Sequence, residues 1–423
     1  MLLLFLLSFV PPLFPKETPR EVKVIGIDGV INPVSAEFIG KSINDAAKKH
    51  YEALVIELDT PGGLDTSMRT IVKGIVGSEV PVVVFVAPSG ARAASAGVFI
   101  TLAAHVAAMA PGTNIGAAHP VNLGGKMDKT MAEKVTNDAA AYIKSLAESR
   151  GRNAGWAEKA VRESISATET EARKENVIDL VARDLPALLS DIDGRKVQTA
   201  FGERTLKTKD ARVVREEMGL RFRILNFISD PNVAYILMLL GFYGLFFELT
   251  SPGAIFPGVA GGICLILAFY AFQTLPVNYA GLLLIILAII LFVLEVKIVS
   301  HGVLAIGGVI AMTIGSLMLF ESPGPFLRLS MYLILPAVIA TALFFTLTIS
   351  LALKAHRRKP VTGREELVGM EGIARTDITK AEGMVSLHGE IWSAFSDDAI
   401  ARNDKIVVEE VRDLKLKVRK QGG

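Results

Sequence analysis

Cysteine is almost absent from this sequence of 423 residues, because Cys264 is the only one and it lies within an apolar run. A single cysteine excludes an intramolecular disulfide and a metal site built from several thiolates. The sequence also has neither the GxxxxGK[ST] motif of nucleotide-binding loops nor the HExxH motif of zinc peptidases. We therefore expect a protein that works without a metal ion or a cofactor.

An excess of charge of one sign is also missing, since 45 Lys and Arg against 43 Asp and Glu leave a net charge of +2. Proteins that bind nucleic acid usually carry a strongly basic face. Residues 360–421 resemble a module that can bind oligonucleotides, but Trp392 and Phe395 are the only aromatic side chains there on which bases could stack. The sequence thus predicts no nucleic-acid partner.

Hydrophobic residues are abundant, and the mean hydropathy of +0.43 is high for a soluble protein. The first ten residues, "MLLLFLLSFV", predict a signal peptide or N-terminal anchor over residues 1–18. Five later apolar runs each approach the roughly 20 residues that cross a bilayer. We therefore expect about five transmembrane helices over residues 233–354, in the runs 233–249, 254–273, 279–296, 302–320 and 331–353.

The basic segment "KAHRRK" (354–359) follows the last run and predicts that this end lies in the cytoplasm. Five spans would then place the N-terminal domain outside the cytoplasm, which agrees with a signal peptide. The expected protein is a multi-pass protein of the cell membrane that contacts lipid.

Short apolar runs alternate with helical patterns between residues 20 and 185, which indicates a parallel α/β domain over 20–200. The chain then becomes polar and basic, and we interpret residues 201–232 as a linker. Residues 360–421 contain short strands at intervals of about ten residues, which predict an all-β closed barrel of the OB type.

Ser95 lies in "GARAASAGVFI" (90–100), between the apolar run 80–88 and a helical pattern. A serine on a strand-to-helix turn is exposed, and the helix N-terminus favours negative charge beside it. A nucleophile also needs backbone N–H groups for the oxyanion. Ala96 and the turn "DTPGG" (59–63), with Gly62 and Gly63, are the candidates. The alternative is that this serine simply begins a closely packed helix.

Two kinds of base are open to such a serine. One is His119 in "GAAHPV"; the other is a lysine of the helix predicted over 131–150, with Lys144 as the first choice. A lysine acts as a base only when neutral, and burial favours that form. Lys126, Lys129 and Lys134 rank below Lys144.

The pieces "DTPGG", "ARAASAGVFI", "MAPGTNIGAAHP" and "ISATETEARKENVIDLVA" occur in an order that resembles the Clp protease and signal-peptide-peptidase-A superfamily. With the membrane region and the terminal barrel, the whole chain resembles a full-length NfeD protein. This implies an α/β crotonase/ClpP-like domain, a multi-span helical bundle and an OB barrel. It also implies a membrane-bound serine endopeptidase that forms a dimer or larger homo-oligomer.

The same resemblance implies that the substrate is a hydrophobic segment of a stomatin-like protein. It implies Ser95 as nucleophile, Gly62 or Gly63 with Ala96 as oxyanion donors, and Lys144 in "AYIKSLA" as general base. His119 matches the Clp-type histidine, but Arg162 stands where the Clp-type aspartate is expected. His119 is therefore an alternative base or part of the rim of the site.

Two other functions are compatible with these features. A non-catalytic membrane scaffold could assemble with stomatin-like proteins through the same domains. Acyl-CoA chemistry also occurs on crotonase-like folds, although a membrane anchor argues against it. The loss or persistence of cleavage when Ser95 is replaced discriminates between the protease and the scaffold.

Overall fold

The computed structural model describes residues 20–121, 128–250, 255–275, 277–298, 300, 302–320, 329–356 and 367–422. The predicted signal peptide or anchor (1–18) and Lys126 lie outside the described residues. The chain divides into two compact units, one of Met1–Phe292 with Ile306–Ala340 and one of Val293–Ala305 with Thr341–Gly423.

The first unit contains a six-stranded parallel sheet, which confirms the predicted α/β class. Its central strands are rich in valine and isoleucine and are covered on both faces, as in other parallel sheets. The strand order is β11-β1-β2-β3-β5-β8. The strands are β1 (Glu21–Asp28), β2 (Ala53–Asp59), β3 (Val82–Val86), β5 (Val106–Met109), β8 (Leu180–Val181) and β11 (Arg212–Glu216). A smaller sheet contains β4 (Arg92–Ala94), β6 (Asn114–Gly116) and β7 (Ser166–Thr168).

Helices cover the large sheet, and their apolar side chains form two core clusters with the side chains of its two faces. Several begin at residues whose side chains accept a hydrogen bond from the first turn, as Asn32 does from Ser35 N–H at 2.9 Å. The helices are α1 (Pro33–Lys48), α2 (Asp65–Val76), α3 (Ala96–Ala103), α4 (Lys129–Ser149), α5 (Ala154–Arg162), α6 (Glu169–Lys174) and α7 (Leu185–Asp191).

The segment predicted as a linker, 201–232, is largely part of this unit, so that prediction has to be revised. It contributes β11, which pairs with β1 from Glu21↔Arg212 to Ile25↔Glu216, and α8 (Leu220–Ile228). A hairpin of β9 (Lys196–Thr199) and β10 (Gly202–Thr205) precedes them. β11 is an edge strand with charged, solvent-facing side chains, and such a strand lacks the apolar run by which a central strand is recognised.

Five apolar helices follow at the positions of the five predicted runs: α9 (Pro231–Thr250), α10 (Ile255–Thr274), α11 (Tyr279–Lys297), α12 (Val303–Leu319) and α13 (Met331–His356). Two segments, Pro231–Leu249 and Ile255–Gln273, are long and apolar enough to cross a membrane, and the other three helices contain shorter apolar stretches. Glycines allow α9 and α10 to pack closely, since a Cβ on Gly244 would lie 2.7 Å from Gly261 Cα.

The second unit contains a closed barrel of five strands, as the sequence predicts. The barrel order is β12-β13-β14-β16-β15, and ten buried apolar side chains fill its interior. The strands are β12 (Glu371–Ala374), β13 (Gly383–Leu387), β14 (Glu390–Phe395), β15 (Lys405–Arg412) and β16 (Lys415–Lys420).

Candidate active site

Ser95 occupies the sharp turn between β4 and α3. Its backbone has φ 51° and ψ −112°, a conformation that a residue with a side chain rarely adopts. Its N–H donates to Gly116 O at 3.2 Å, and its carbonyl accepts from Val98 N–H at 3.0 Å. These bonds hold a strained, half-buried serine at the N-terminus of a helix, which is the setting expected of a nucleophile.

The glycine turn after β2 lies directly against Ser95. A Cβ added to Gly62, whose φ is +124°, would lie 2.7 Å from Ser95 Cβ and 3.2 Å from Ser95 Oγ. The buried Thr60 fixes this turn, because its Oγ1 accepts from Gly62 N–H and donates to Gly62 O, both at 3.0 Å. The sequence reasoning missed Thr60, whose only signal is its place in "DTPGG".

Two backbone N–H groups remain suited to an oxyanion. The Gly62 N–H is engaged by Thr60, so Gly62 is the weaker of the two glycine candidates. Gly63 pairs with Ile31 through hydrogen bonds that its two neighbours make: Gly62 O accepts from Ile31 N–H, and Leu64 N–H donates to Ile31 O. The N–H of Gly63 itself takes no part in this pairing. Ala96 belongs to the first turn of α3, where backbone N–H groups have no partner within the helix.

We expect Gly62→Ala to lower any Ser95-dependent activity by on the order of 10²-fold, because the methyl group displaces the Ser95 side chain from its position. Kinetic assays of the full chain check this. Gly40→Ala in α1 is the matched control, since a Cβ there meets nothing within 4 Å. Equal activity of the two variants would show that the glycine turn does not position Ser95.

Lys144 does not lie towards this turn but on the face of α4 that packs against α5. Its side chain is 48% exposed, and Nζ lies 3.5 Å from Glu158 Oε2. Asn137, two turns earlier on the same face, accepts from Arg162 at 2.8 Å. Lys144, which the sequence predicts as general base, is thus an exposed, ion-paired lysine that faces α5.

The packing of α4 on α3 shows which part of α4 is level with Ser95. Tyr142 stacks on Phe99 with ring centroids 6.0 Å apart, and Arg150 Nε donates to Ala103 O at 3.0 Å. The two helices therefore run side by side in the same direction. Ser95 precedes Phe99 by about one turn, or roughly 6 Å. The matching part of α4 lies one to two turns before Tyr142.

Lys134 lies in that part of α4, on the face that α2 and α3 contact. Lys134, Asp138 and Tyr142 are spaced four residues apart and so follow one face of the helix. Arg69 of α2 pairs with Asp138, and its guanidinium carbon lies 4.5 Å from the centroid of the Tyr142 ring. Lys134 is exposed, and it shares this side of α4 with Asp138 and Tyr142.

His119 lies near the same edge but is held by α5. Its Nδ1 donates to Val161 O at 2.8 Å, and Nε2 has no hydrogen-bond partner among the described residues. Arg162, which stands where a Clp-type aspartate was expected, donates to Glu158 Oε1 at 2.8 Å. The Val161 carbonyl fixes the orientation of the His119 ring, but it stabilises a protonated imidazole less than a carboxylate would. His119 is therefore better suited to the rim of the site than to the role of general base.

A second histidine, His105, is buried directly before β5, where it is bonded to the start of β3. Val82 N–H donates to its Nδ1 at 3.0 Å. Burial, with the nearby charges of Arg150 and Arg152, lowers the pKa of His105 to about 3. Within the described ranges, no group of three or more His, Cys, Asp or Glu side chains is placed to hold a metal ion.

Comparison with known proteins places this arrangement in context. The chain is 37% identical to the membrane-bound protease PH1510 of Pyrococcus horikoshii over 418 residues, which are 95% of this chain and 94% of that protein. The chain belongs to the NfeD family. Residues 21–193 match the N-terminal domain of NfeD1b, residues 232–350 the NfeD integral membrane domain, and residues 364–420 the NfeD-like C-terminal, partner-binding domain.

Other relatives cover all or part of this NfeD protein. The membrane protein NfeD1b of Bacillus subtilis is 27% identical over 436 residues, 96% of this chain and 94% of that one. A solved structure of the 1510-N membrane-bound stomatin-specific protease, a lysine-to-alanine variant with a substrate peptide, is 37% identical. It covers 50% of this chain and 99% of its own, with a TM-score of 0.47. The apolar helices and the membrane-domain match place this NfeD protein in a membrane.

Proposed function

We propose that this NfeD protein is a membrane-bound serine endopeptidase whose nucleophile is Ser95. The observation that carries the proposal is the strained turn of Ser95 against Gly62, with Ala96 next to Ser95 and Gly63 next to Gly62 in the chain. A hydroxyl on such a turn is open to a peptide carbonyl, and the two amides suit the negative charge that develops on its oxygen. The protease activity of the Pyrococcus relative supports the same function.

The structure favours Lys134 over Lys144 as the general base. Lys134 follows the face of α4 that packs on α2 and α3, whereas Lys144 is paired with Glu158 on α5. A lysine accepts a proton only when it is neutral, and removal from water favours that form. Lys134 is exposed, so a peptide laid over Ser95 would have to exclude water from it during the reaction.

The reaction then proceeds in two steps. Neutral Lys134 takes the hydroxyl proton as Ser95 Oγ attacks the peptide carbonyl, and the oxyanion accepts hydrogen bonds from Gly63 and Ala96. Collapse breaks the C–N bond, the amine leaves with the proton from Lys134, and the acyl group stays on Ser95. Water, deprotonated by the same lysine, hydrolyses this ester and restores Ser95.

We further propose that the substrate is a hydrophobic segment of a stomatin-like membrane protein. The 1510-N protease is stomatin-specific, and residues 364–420 match a partner-binding domain. The small side chains around Ser95 leave room for an apolar peptide. In this proposal the protease unit is extracytoplasmic, the barrel is cytoplasmic, and the protein works as a homo-oligomer.

The test is cleavage of a stomatin-like protein by the full chain in nanodiscs, read by mass spectrometry. Ser95→Ala should lower the rate by on the order of 10³-fold or more, because the nucleophile is lost. Ser145→Ala, which removes an exposed hydroxyl from α4, is the matched control. Specific cleavage that survives in Ser95→Ala would overturn the proposal.

A non-catalytic scaffold for stomatin-like proteins is the second candidate, and the partner-binding domain match favours it. The same experiment separates the two functions. A scaffold would bind the stomatin-like protein without cleaving it, in the wild type as in Ser95→Ala.

A further inference from the structure

Helix α8 exposes an apolar face although it belongs to the protease unit. Leu220, Ile224 and Phe227 are 70%, 47% and 67% exposed, and their spacing of four and three residues places them on one side of the helix. The opposite side is anchored, since Phe222 packs on Phe38 of α1 with ring centroids 5.5 Å apart. The exposed face is thus held in a fixed orientation by the core.

Two arginines flank this apolar face. Arg221 and Arg223 are both exposed and fall on either side of the stripe formed by Leu220, Ile224 and Phe227. Arg221 lies 3.3 Å from Glu37, and Arg223 has no ion pair in the part of the chain that the structure describes. Apolar side chains between basic ones are typical of helices that lie in the headgroup layer of a membrane.

The helix also directly precedes the first apolar helix of the membrane region. α8 ends at Ile228 and the apolar helix α9 begins at Pro231, with Asp230 accepting from Asn232 N–H at 2.8 Å. Asn232 Oδ1 accepts from Ser330 N–H at 3.0 Å, which places the start of α13 beside the start of α9. The exposed Tyr332 follows two residues later, and tyrosines are enriched at membrane interfaces.

A second exposed tyrosine, Tyr279, lies at the same end of the bundle, as two hydrogen bonds between the helices show. Tyr235 in α9 is hydrogen-bonded to Ser316 in α12 at 2.8 Å, and Leu319 O at the end of α12 accepts from Asn278 N–H at 2.9 Å. Tyr279, exposed at the start of α11, comes next in the chain. The starts of α9, α11 and α13 therefore lie at the same end of the helical bundle, and α8 directly precedes the start of α9.

The side of α8 that meets the core connects it to the Ser95 turn. Asn226 Oδ1 accepts from Asn32 Nδ2 at 2.8 Å. Asn32 follows Ile31, whose N–H donates to Gly62 O at 2.8 Å. α8 thus lies at the same edge of the sheet as the glycine turn of the candidate active site.

We propose that the face of Leu220, Ile224 and Phe227 docks into the headgroup layer of an anionic membrane, with Arg221 and Arg223 on lipid phosphates. Docking holds the Ser95 edge of the sheet close to the bilayer surface. Its consequence for substrates rests on the proposed function: the enzyme cleaves segments that emerge from, or lie on, the membrane near this edge.

The test uses the full chain with Cys264→Ala, carrying one environment-sensitive label through Ile224→Cys or, as control, Val76→Cys at the exposed end of α2. The protein is placed in detergent, in phosphatidylcholine nanodiscs and in nanodiscs that also contain phosphatidylglycerol. Brominated lipid should quench the Ile224 label and leave the Val76 label unaffected. Arg221→Gln and Arg223→Gln should each lower the docked-to-undocked ratio in anionic nanodiscs by about five-fold.

Two outcomes would overturn the proposal. The Ile224 label could be quenched no more than the Val76 label, or it could be equally shielded in detergent, which would indicate that a second copy of the chain covers α8. Arg223→Gln breaks no ion pair of the described structure, so its effect is not a folding defect. The readout is independent of cleavage, so a failure of docking is distinct from a failure of the protease mechanism.

Discussion

Lys134→Ala should lower the rate of Ser95-dependent cleavage by roughly 10²- to 10⁴-fold, the usual contribution of a general base. The reason is the position of Lys134 about two turns before Tyr142, on the side of α4 that packs against α2 and α3. The variant should fold normally, because this lysine is exposed. Initial rates of cleavage of a stomatin-like protein by the full chain in nanodiscs measure the effect.

Lys144→Ala is the matched control for this prediction, since it removes the same side chain from the same helix. Among the described residues it breaks only the partly exposed pair with Glu158, so the rate should stay near that of the wild type. The reverse pattern, with cleavage lost in Lys144→Ala and kept in Lys134→Ala, would restore the base expected from "AYIKSLA".

These two lysines show where sequence reasoning about the site ends. Ser95 could be located because its environment is local: an apolar strand, small residues and the start of a helix follow one another in the chain. The base depends instead on how α4 is rotated and aligned against α3 and α5. That alignment is set by contacts between distant residues, such as Tyr142 with Phe99 and Asn137 with Arg162. The spacing of lysines in the sequence does not contain it.

The fold shows the same division. The strands β2, β3 and β5, the five apolar helices and the barrel strands were predicted because each is apolar or alternating over its whole length. The sequence does not predict β11, since "RVVRE" has charged side chains at most positions and pairs with β1 about 190 residues earlier. α8 falls within the segment predicted as a linker, because its arginines mask an amphipathic pattern that its packing on Phe38 shows.

Asp179→Ala should lower the free energy of unfolding of the protease unit by about 3–5 kcal/mol, the usual cost of leaving a buried charge without its partner. Asp179 accepts from Ala107 N–H at 2.7 Å and from Arg152 at 2.6 Å. The buried Arg152 also donates to Leu102 O at 2.7 Å and Ala104 O at 2.9 Å, at the end of α3. Unfolding of the full chain in detergent is followed through the buried Trp156, in a Trp392→Phe background.

The pH dependence of stability provides an independent check on the same residue. Burial alone would raise the pKa of Asp179, but the charge of Arg152 and the Ala107 N–H outweigh it and lower the pKa. The ionised carboxylate therefore stabilises the fold at all pH values above its unfolded pKa of about 3.9. This stabilisation is lost as the pH falls through the lower pKa of the folded state.

Glu203→Ala, which removes an exposed pair with Lys196, is the control and should leave stability nearly unchanged. If Asp179→Ala were equally mild, Arg152 would have to be satisfied by the carbonyls at the end of α3 alone, and Asp179 would not be what anchors the helix that carries Ser95.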